Sequence, residues 1–181
     1  MAKVKLAIAA LLLSLSFPRE APSQTVEYQV KAAYILNFTK FVEWPEGTFP
    51  AGDSPLNLCV ADEGPLGQTL TRMAAGEAIS LHRMNVRILH RPEPAEGCHV
   101  LFVPGDDANP SELLGTLGSG VLTVGEGPAF LMAGGVISFV IENHRVRFDI
   151  NYQAAHRAGL HLSAKLLAVA RSVQQAEGVK P

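Results

Sequence analysis

Residues 136–150, VISFVIENHRVRFDI, decide the fold of this chain. Val136 to Ile141 and Arg145 to Ile150 are two β-rich runs separated only by Glu142-Asn143-His144, which predicts a hairpin and hence an antiparallel pair. In the second run Val146, Phe148 and Ile150 alternate with Arg145, Arg147 and Asp149. A strand of that pattern has one face for the core and one for solvent or a partner. Arg145, Arg147 and Asp149 are therefore a candidate partner-binding row.

Upstream of the hairpin the pattern differs. Leu56 to Ala61 (LNLCVA), His99 to Val103 (HVLFV) and Val121 to Val124 (VLTV) are short apolar runs, typical of strands covered on both faces. Asn85 to Leu89 (NVRIL) alternates and predicts another strand. Pro65 to Ala75 and Pro110 to Leu117 read as helices, each with proline suited to a first turn. Val26 to Val42 has helical spacing, with Val30, Ala33, Tyr34, Phe38 and Phe41 on one apolar face and Lys31 and Lys40 falling away from it. Trp44-Pro45 ends that segment. After the hairpin, Asn151 to Ala158 and Ser163 to Ala176 read as helix. Alternating elements followed by a hairpin predict one α/β domain: a mixed sheet of five or six strands flanked by helices, with a C-terminal hairpin and helix.

The first residues read differently. Lys3 and Lys5 precede an almost wholly apolar run from Leu6 to Leu15, and Pro18 breaks it. Ala21-Pro22-Ser23 supplies small residues for a peptidase. This order predicts a cleaved signal peptide over 1–23 and a mature domain over 24–181, located in the periplasm. The apolar run is far shorter than the roughly 20 residues a spanning helix needs. In an exported chain, two cysteines usually form one disulfide, so Cys59 and Cys98 are expected to be bonded.

Composition narrows the function classes. The chain has 181 residues, 48% of them hydrophobic and 18% charged, enough apolar matter for a core. Fifteen Lys and Arg against 17 Asp and Glu leave a net charge of -2, without the basic excess of a nucleic-acid binder. Phosphate loops, zinc motifs and serine-nucleophile elbows are missing, so no catalytic residue, metal or cofactor is assigned and the chain is not expected to be an enzyme. Gly125-Glu126-Gly127-Pro128 follows a predicted strand, but lacks the dinucleotide fingerprint. Gly134-Gly135 reads as a tight turn. Asp106-Asp107 reads as a solvated helix-start pair. Tyr34, Phe38, Phe41 and Trp44 gather aromatic content near the mature N-terminus, either as core or as exposed interface anchors.

A resemblance adds to this reading. Glu27 to Pro45 (EYQVKAAYILNFTKFVEWP) resembles the opening signature of the YfiR family of exported bacterial proteins. Gly97 to Val103 (GCHVLFV), Leu122-Thr123-Val124 with Gly134 to Ile137, and Arg147 to Asn151 (RFDIN) with Ala158-Gly159-Leu160 and Ser163 to Leu167 follow in order. The resemblance implies a periplasmic regulator with a mixed sheet flanked by helices. It implies repression of an inner-membrane diguanylate cyclase through that enzyme's periplasmic region, and sequestration by an OmpA-like lipoprotein. Cys59 and Cys98 match a disulfide pair of the family; a second pair that some members carry is missing here. A homodimer is compatible with this reading. The alternative is a periplasmic small-ligand binding protein, with a pocket at the strand ends near Gly125 and Asp106.

Overall fold

The computed structural model describes residues 22–61, 64–90, 94–105 and 109–174. The expected signal peptide and the Asp106-Asp107 pair lie outside them, apart from the last two residues of the predicted leader. Helix α1 (Pro22–Phe38) opens the described chain, followed by a 3-10 turn (Thr39–Phe41) and strand β1 (Val42–Glu43). Then come β2 (Leu56–Val60), α2 (Pro65–Ala74), β3 (Ala78–Ile79), β4 (His82–Ile88), β5 (Val100–Phe102) and α3 (Pro110–Gly115). The second half runs β6 (Leu122–Glu126), α4 (Gly127–Met132), β7 (Ile137–Glu142), β8 (Arg145–Asn151), α5 (Tyr152–Arg157), β9 (His161–Leu162), α6 (Ala164–Val169) and β10 (Ser172–Gln174).

Eight strands form one mixed sheet in the order β10-β8-β7-β6-β5-β2-β4-β3. The pairs from β4 through β7 are parallel, and β7 with β8 is antiparallel. β1 and β9 pair separately. The strand path turns around at β2: β4 lies on one side of it, β5, β6 and β7 on the other. Right-handed crossovers moving in opposite directions place their helices on opposite faces. Leu66, Leu70 and Ala74 of α2 accordingly join Leu58, Val60, Val100, Phe102, Leu122 and Val124 in one core. Leu113 and Leu114 of α3 and Phe130 of α4 join Cys59, Leu101 and Val103 in a second core across the sheet.

α1 shares the first core with α2. Its Tyr34 and Phe38 rings meet Phe139 and Phe148, a directly opposed pair of the hairpin, at centroid distances of 4.8–6.1 Å. The hairpin turn places Asn143 and His144 at positive φ between paired Glu142 and Arg145. Two consecutive left-handed residues match the twist of the flanking strands.

Two glycines explain themselves here. A Cβ on Gly125 would stand 2.5 Å from the Phe130 ring, and one on Gly135 2.1 Å from it. Phe130 thus lies in a slot that only glycine leaves open. Gly135 is not merely a turn residue, because Phe130 packs directly against it.

The mixed sheet and single α/β domain are as expected, with more strands than foreseen. β3 is a two-residue edge pairing with β4. β10 replaces the end of the helix predicted to reach Ala176. Ala170 is extended (φ -64°, ψ 147°), and Ser172, Val173 and Gln174 run parallel to β8. α4 begins at the glycine-rich piece, with Pro128 in its first turn, where a missing N–H costs nothing. The predicted helix over 26–42 stops at Phe38 and tightens into the 3-10 turn.

Cys59 and Cys98 are bonded, with Cα atoms 5.8 Å apart. β2 and β5 are sheet neighbours, as the bond required. Removing both cysteines should lower the unfolding free energy by about 4 kcal/mol on chain-entropy grounds for so long a loop. Denaturant melts of the oxidised protein and of Cys59→Ser/Cys98→Ser measure it. Gly135→Ala should cost about 1–3 kcal/mol by overpacking. Combined with Phe130→Ala it should cost far less than the sum of the two single changes, because the clash is then gone.

Candidate functional site

The predicted partner row divides in space. Arg145 and Arg147 are exposed, whereas Asp149 is buried. The inward turn of Asp149 has a cause that the alternation could not reveal. Arg171, just before β10, donates from Nε to Asp149 Oδ1 at 2.8 Å and from a terminal nitrogen to Oδ2. Arg171 also reaches Glu142 Oε1 at 3.5 Å. The guanidinium beside Asp149 holds its carboxyl below the usual carboxylate range, against the opposing effect of burial, with Ser172 adding a further hydrogen bond. Asp149 therefore anchors β10 along β8 and stiffens the strand that presents Arg145 and Arg147.

A second group of charges stands at the carboxyl ends of the strands. Glu126 closes β6, and Lys31 of α1 donates to its Oε1 at 2.7 Å. Lys31 also pairs with Glu27, one helical turn earlier. Lys31 is 5% exposed, so it does not fall away from the apolar face as its spacing suggested. Burial works against its charge, but the hydrogen bonds to Glu126 and Glu27 outweigh it and hold the ammonium above its usual pKa. Glu126 had no signal of its own in the sequence; only its place at a strand end marked it.

Two clefts flank this ion group. One, of about 390 Å³, is lined by Glu27, Lys31, Glu126, Phe139 and Ile141 among others. The other, of about 360 Å³, lies between Tyr28, Leu66, Phe102, Gly105 and Glu126. The second borders the carboxyl ends of β2 and β5, where the strand path reverses. Open α/β sheets often bind ligands at such a point. The first is bordered by apolar surface at the hairpin end, where Ile141 is 55% exposed.

The aromatic group near the mature N-terminus also divides. Phe38 is buried, Tyr34 and Trp44 are partly buried against the first core, and Phe41 is 36% exposed. Among the described residues no cluster of three or more His, Cys, Asp or Glu could hold a metal ion, and no helix is long and apolar enough to cross a membrane.

Asp149→Asn should lower stability at pH 7 by about 1–3 kcal/mol through loss of a charge-assisted pair. Because the folded pKa of Asp149 is depressed, its contribution is complete above the unfolded value of 3.8 and is lost as pH falls through the folded value. Urea melts should therefore show the gap between wild type and variant narrowing below that pH.

The comparisons with known proteins agree with this architecture. Among curated proteins no relative matches the chain. In fold it is similar to the crystal structure of a conserved domain protein from Vibrio cholerae O1 biovar El Tor, with a TM-score of 0.54 at 13% identity. That alignment covers 81% of this chain and 60% of the other, so the chain spans about three-fifths of the relative's length. At this identity the likeness speaks to fold alone. An ABC domain in complex with L-Trp from Streptococcus pneumonia aligns over the same shares, 81% and 60%, with a TM-score of 0.47 at 14% identity. The family model described as YfiR/HmsC-like matches residues 28–171, which include the aromatic contact of α1 with the hairpin, both cysteines and Arg171. The chain belongs to the YfiR/HmsC-like family, whose members are regulatory proteins of a periplasmic kind.

Proposed function

We propose that the chain is exported and that residues 24–181, freed of the leader 1–23, act in the periplasm by protein–protein contact. In this reading the domain represses an inner-membrane diguanylate cyclase by binding the enzyme's periplasmic region, and an OmpA-like lipoprotein sequesters it. The observation that carries the reading is the family match over 28–171. The signal-like order of residues 1–23 and the Cys59–Cys98 bond, which fits an oxidising compartment, support it.

The contact surface in this proposal is the β7–β8 hairpin. Arg145 and Arg147 stand on a strand that the Asp149–Arg171 pair ties to β10 on the same face. An exposed pair of guanidiniums suits an acidic partner face, since each can bond a carboxylate in a bidentate way. The backbone that carries them is already ordered in the sheet, so binding has only the two side chains to order. Asp149 belongs to this surface as its support.

Repression then has a simple physical form. The domain binds an inactive conformation of the partner better than the active one, and shifts the population by that difference. Tenfold repression needs about 1.4 kcal/mol of differential binding. A second reading, a small-ligand protein, is favoured by the cleft of about 360 Å³ at the strand reversal. A metabolite bound there would raise the melting temperature by mass action, so a thermal-shift screen separates the two.

Deleting the gene should raise cellular cyclic-di-GMP and biofilm. Arg147→Glu should reproduce the deletion while leaving the melting temperature within a few degrees of wild type, since the residue is exposed and away from the cores. Unchanged cyclic-di-GMP in the deletion strain removes the cyclase as partner and leaves the family and fold as they stand.

A further inference from the structure

At the amino ends of β4, β2 and β5 one phenyl ring stacks with two imidazoles. Phe49, in the loop between β1 and β2, stacks on His82 of β4 at 4.0 Å between centroids and on His99, next to β5, at 4.7 Å. β4 and β5 flank β2, so the histidines stand two strands apart and Phe49 lies between them. Trp44 meets Phe49 edge-on at 6.0 Å.

The hydrogen bonds fix the protons. The backbone N–H of Asn57 donates to His99 Nδ1 at 2.9 Å, so that nitrogen is bare in the folded state. His99 carries its proton on Nε2, which faces the Thr48 carbonyl at 3.4 Å. His82 Nδ1 lies 2.7 Å from the Ser54 carbonyl and donates to it. The two rings thus hold the loop at Thr48, Phe49 and Ser54. They differ in what acid does to them. A second proton on His82 leaves its bond intact. A second proton on His99 must sit on Nδ1, where it confronts the Asn57 N–H, donor against donor.

The surroundings do not compensate. His99 is 8% exposed. Burial pushes its pKa below the usual value of 6.5, and the charge of His82 adds to that, against the opposing bond to Thr48. Glu46 and Glu96 line the same cleft but are exposed, and Asp53 beside Ser54 is exposed as well. Residues 116–121, which form the far wall, contain no charged side chain.

We propose that His99 is an acid-sensitive latch: on taking up a proton it releases the Trp44–Phe49 part of the loop from the amino ends of β2 and β5, with Ser54 still held by His82, while the sheet stays folded. That loop's Pro45, Glu46, Gly47 and Thr48 form one wall of a cleft of about 590 Å³, whose other walls are residues 94–99 and 116–121. Release of the loop opens this cleft. The latch goes beyond the repressor reading, since it requires no partner, and its test is independent of that reading. For a protein outside the cytoplasm, such a latch would couple surface shape to the acidity of the medium.

The chain carries its own reporter, because Trp44 is its one tryptophan. Fluorescence of the mature protein, titrated from about pH 8 to about pH 5, should show a reversible one-proton transition with its midpoint below the ordinary histidine value. Acrylamide quenching of Trp44 should rise about twofold or more across it, with far-UV circular dichroism unchanged. His99→Asn keeps an acceptor where Nδ1 stood but cannot titrate, and should abolish the transition. His82→Asn removes the neighbouring charge and should move the midpoint upward. In the wild-type protein, the Asn57 amide resonance should titrate with the same midpoint as Trp44, which holds the test open even if a variant fails to fold. A flat wild-type trace, a transition that persists in His99→Asn, an Asn57 amide that does not move, or a parallel loss of circular dichroism would each overturn the latch.

Discussion

The contact of Tyr34 and Phe38 with Phe139 and Phe148 is what the rest of the structure depends on. It joins the first helix to the last antiparallel pair across more than a hundred residues of chain. A sheet that is mainly parallel must be covered on both faces. α2 covers only part of the first face; α1 covers the remainder, and these four rings fix its position. Each buried ring of this size contributes about 1.5–3 kcal/mol on leaving water, and the aromatic geometry adds to that. With α1 so placed, Lys31 comes over the end of β6, and its ammonium meets Glu126. The charge group at the carboxyl ends is thus a consequence of an apolar contact one turn further along the helix.

The two ends of the sheet have different chemistry. At the carboxyl ends the buried Lys31 ammonium is held by two carboxylates, Glu27 and Glu126. At the amino ends two imidazoles stack on Phe49, and the Asn57 N–H donates to Nδ1 of one of them, His99. The first end is tied by ion pairs, whereas at the second burial holds the His99 imidazole below its usual pKa. The exposed hairpin with Arg145 and Arg147 stands apart from the amino-end loop in sequence and belongs to the side of the sheet that Asp149 and Arg171 stiffen.

Most of the fold was legible because its strands carry strong signals. HVLFV and VLTV are apolar but for His99 and Thr123 and lie in the buried middle of the sheet. The hairpin was legible from Asn143-His144, whose backbone the turn requires at positive φ. The bond of Cys59 with Cys98 followed from their number and the predicted export. What was missed rests on tertiary contacts. β10 exists because Arg171 reaches back to Asp149, and no local propensity encodes that. Lys31 read as solvated because helical spacing assigns faces but cannot see a carboxylate arriving from β6. The slot for Phe130 between Gly125 and Gly135 is likewise a matter of two separate segments meeting. The candidate row was found by alternation, but alternation could not tell the free arginines from the anchored aspartate.

In the function proposed above, the exposed hairpin meets a membrane signalling enzyme in the periplasm. The most direct measurement is photo-crosslinking in living cells, with Arg145 replaced by benzoylphenylalanine and Glu96, on the opposite end of the sheet, replaced likewise as a control. The account predicts a light-dependent adduct from position 145 and none from position 96, with the captured protein identified by mass spectrometry as an inner-membrane diguanylate cyclase. An adduct of equal yield from both positions, or adducts at position 145 that contain no membrane signalling protein, would contradict it.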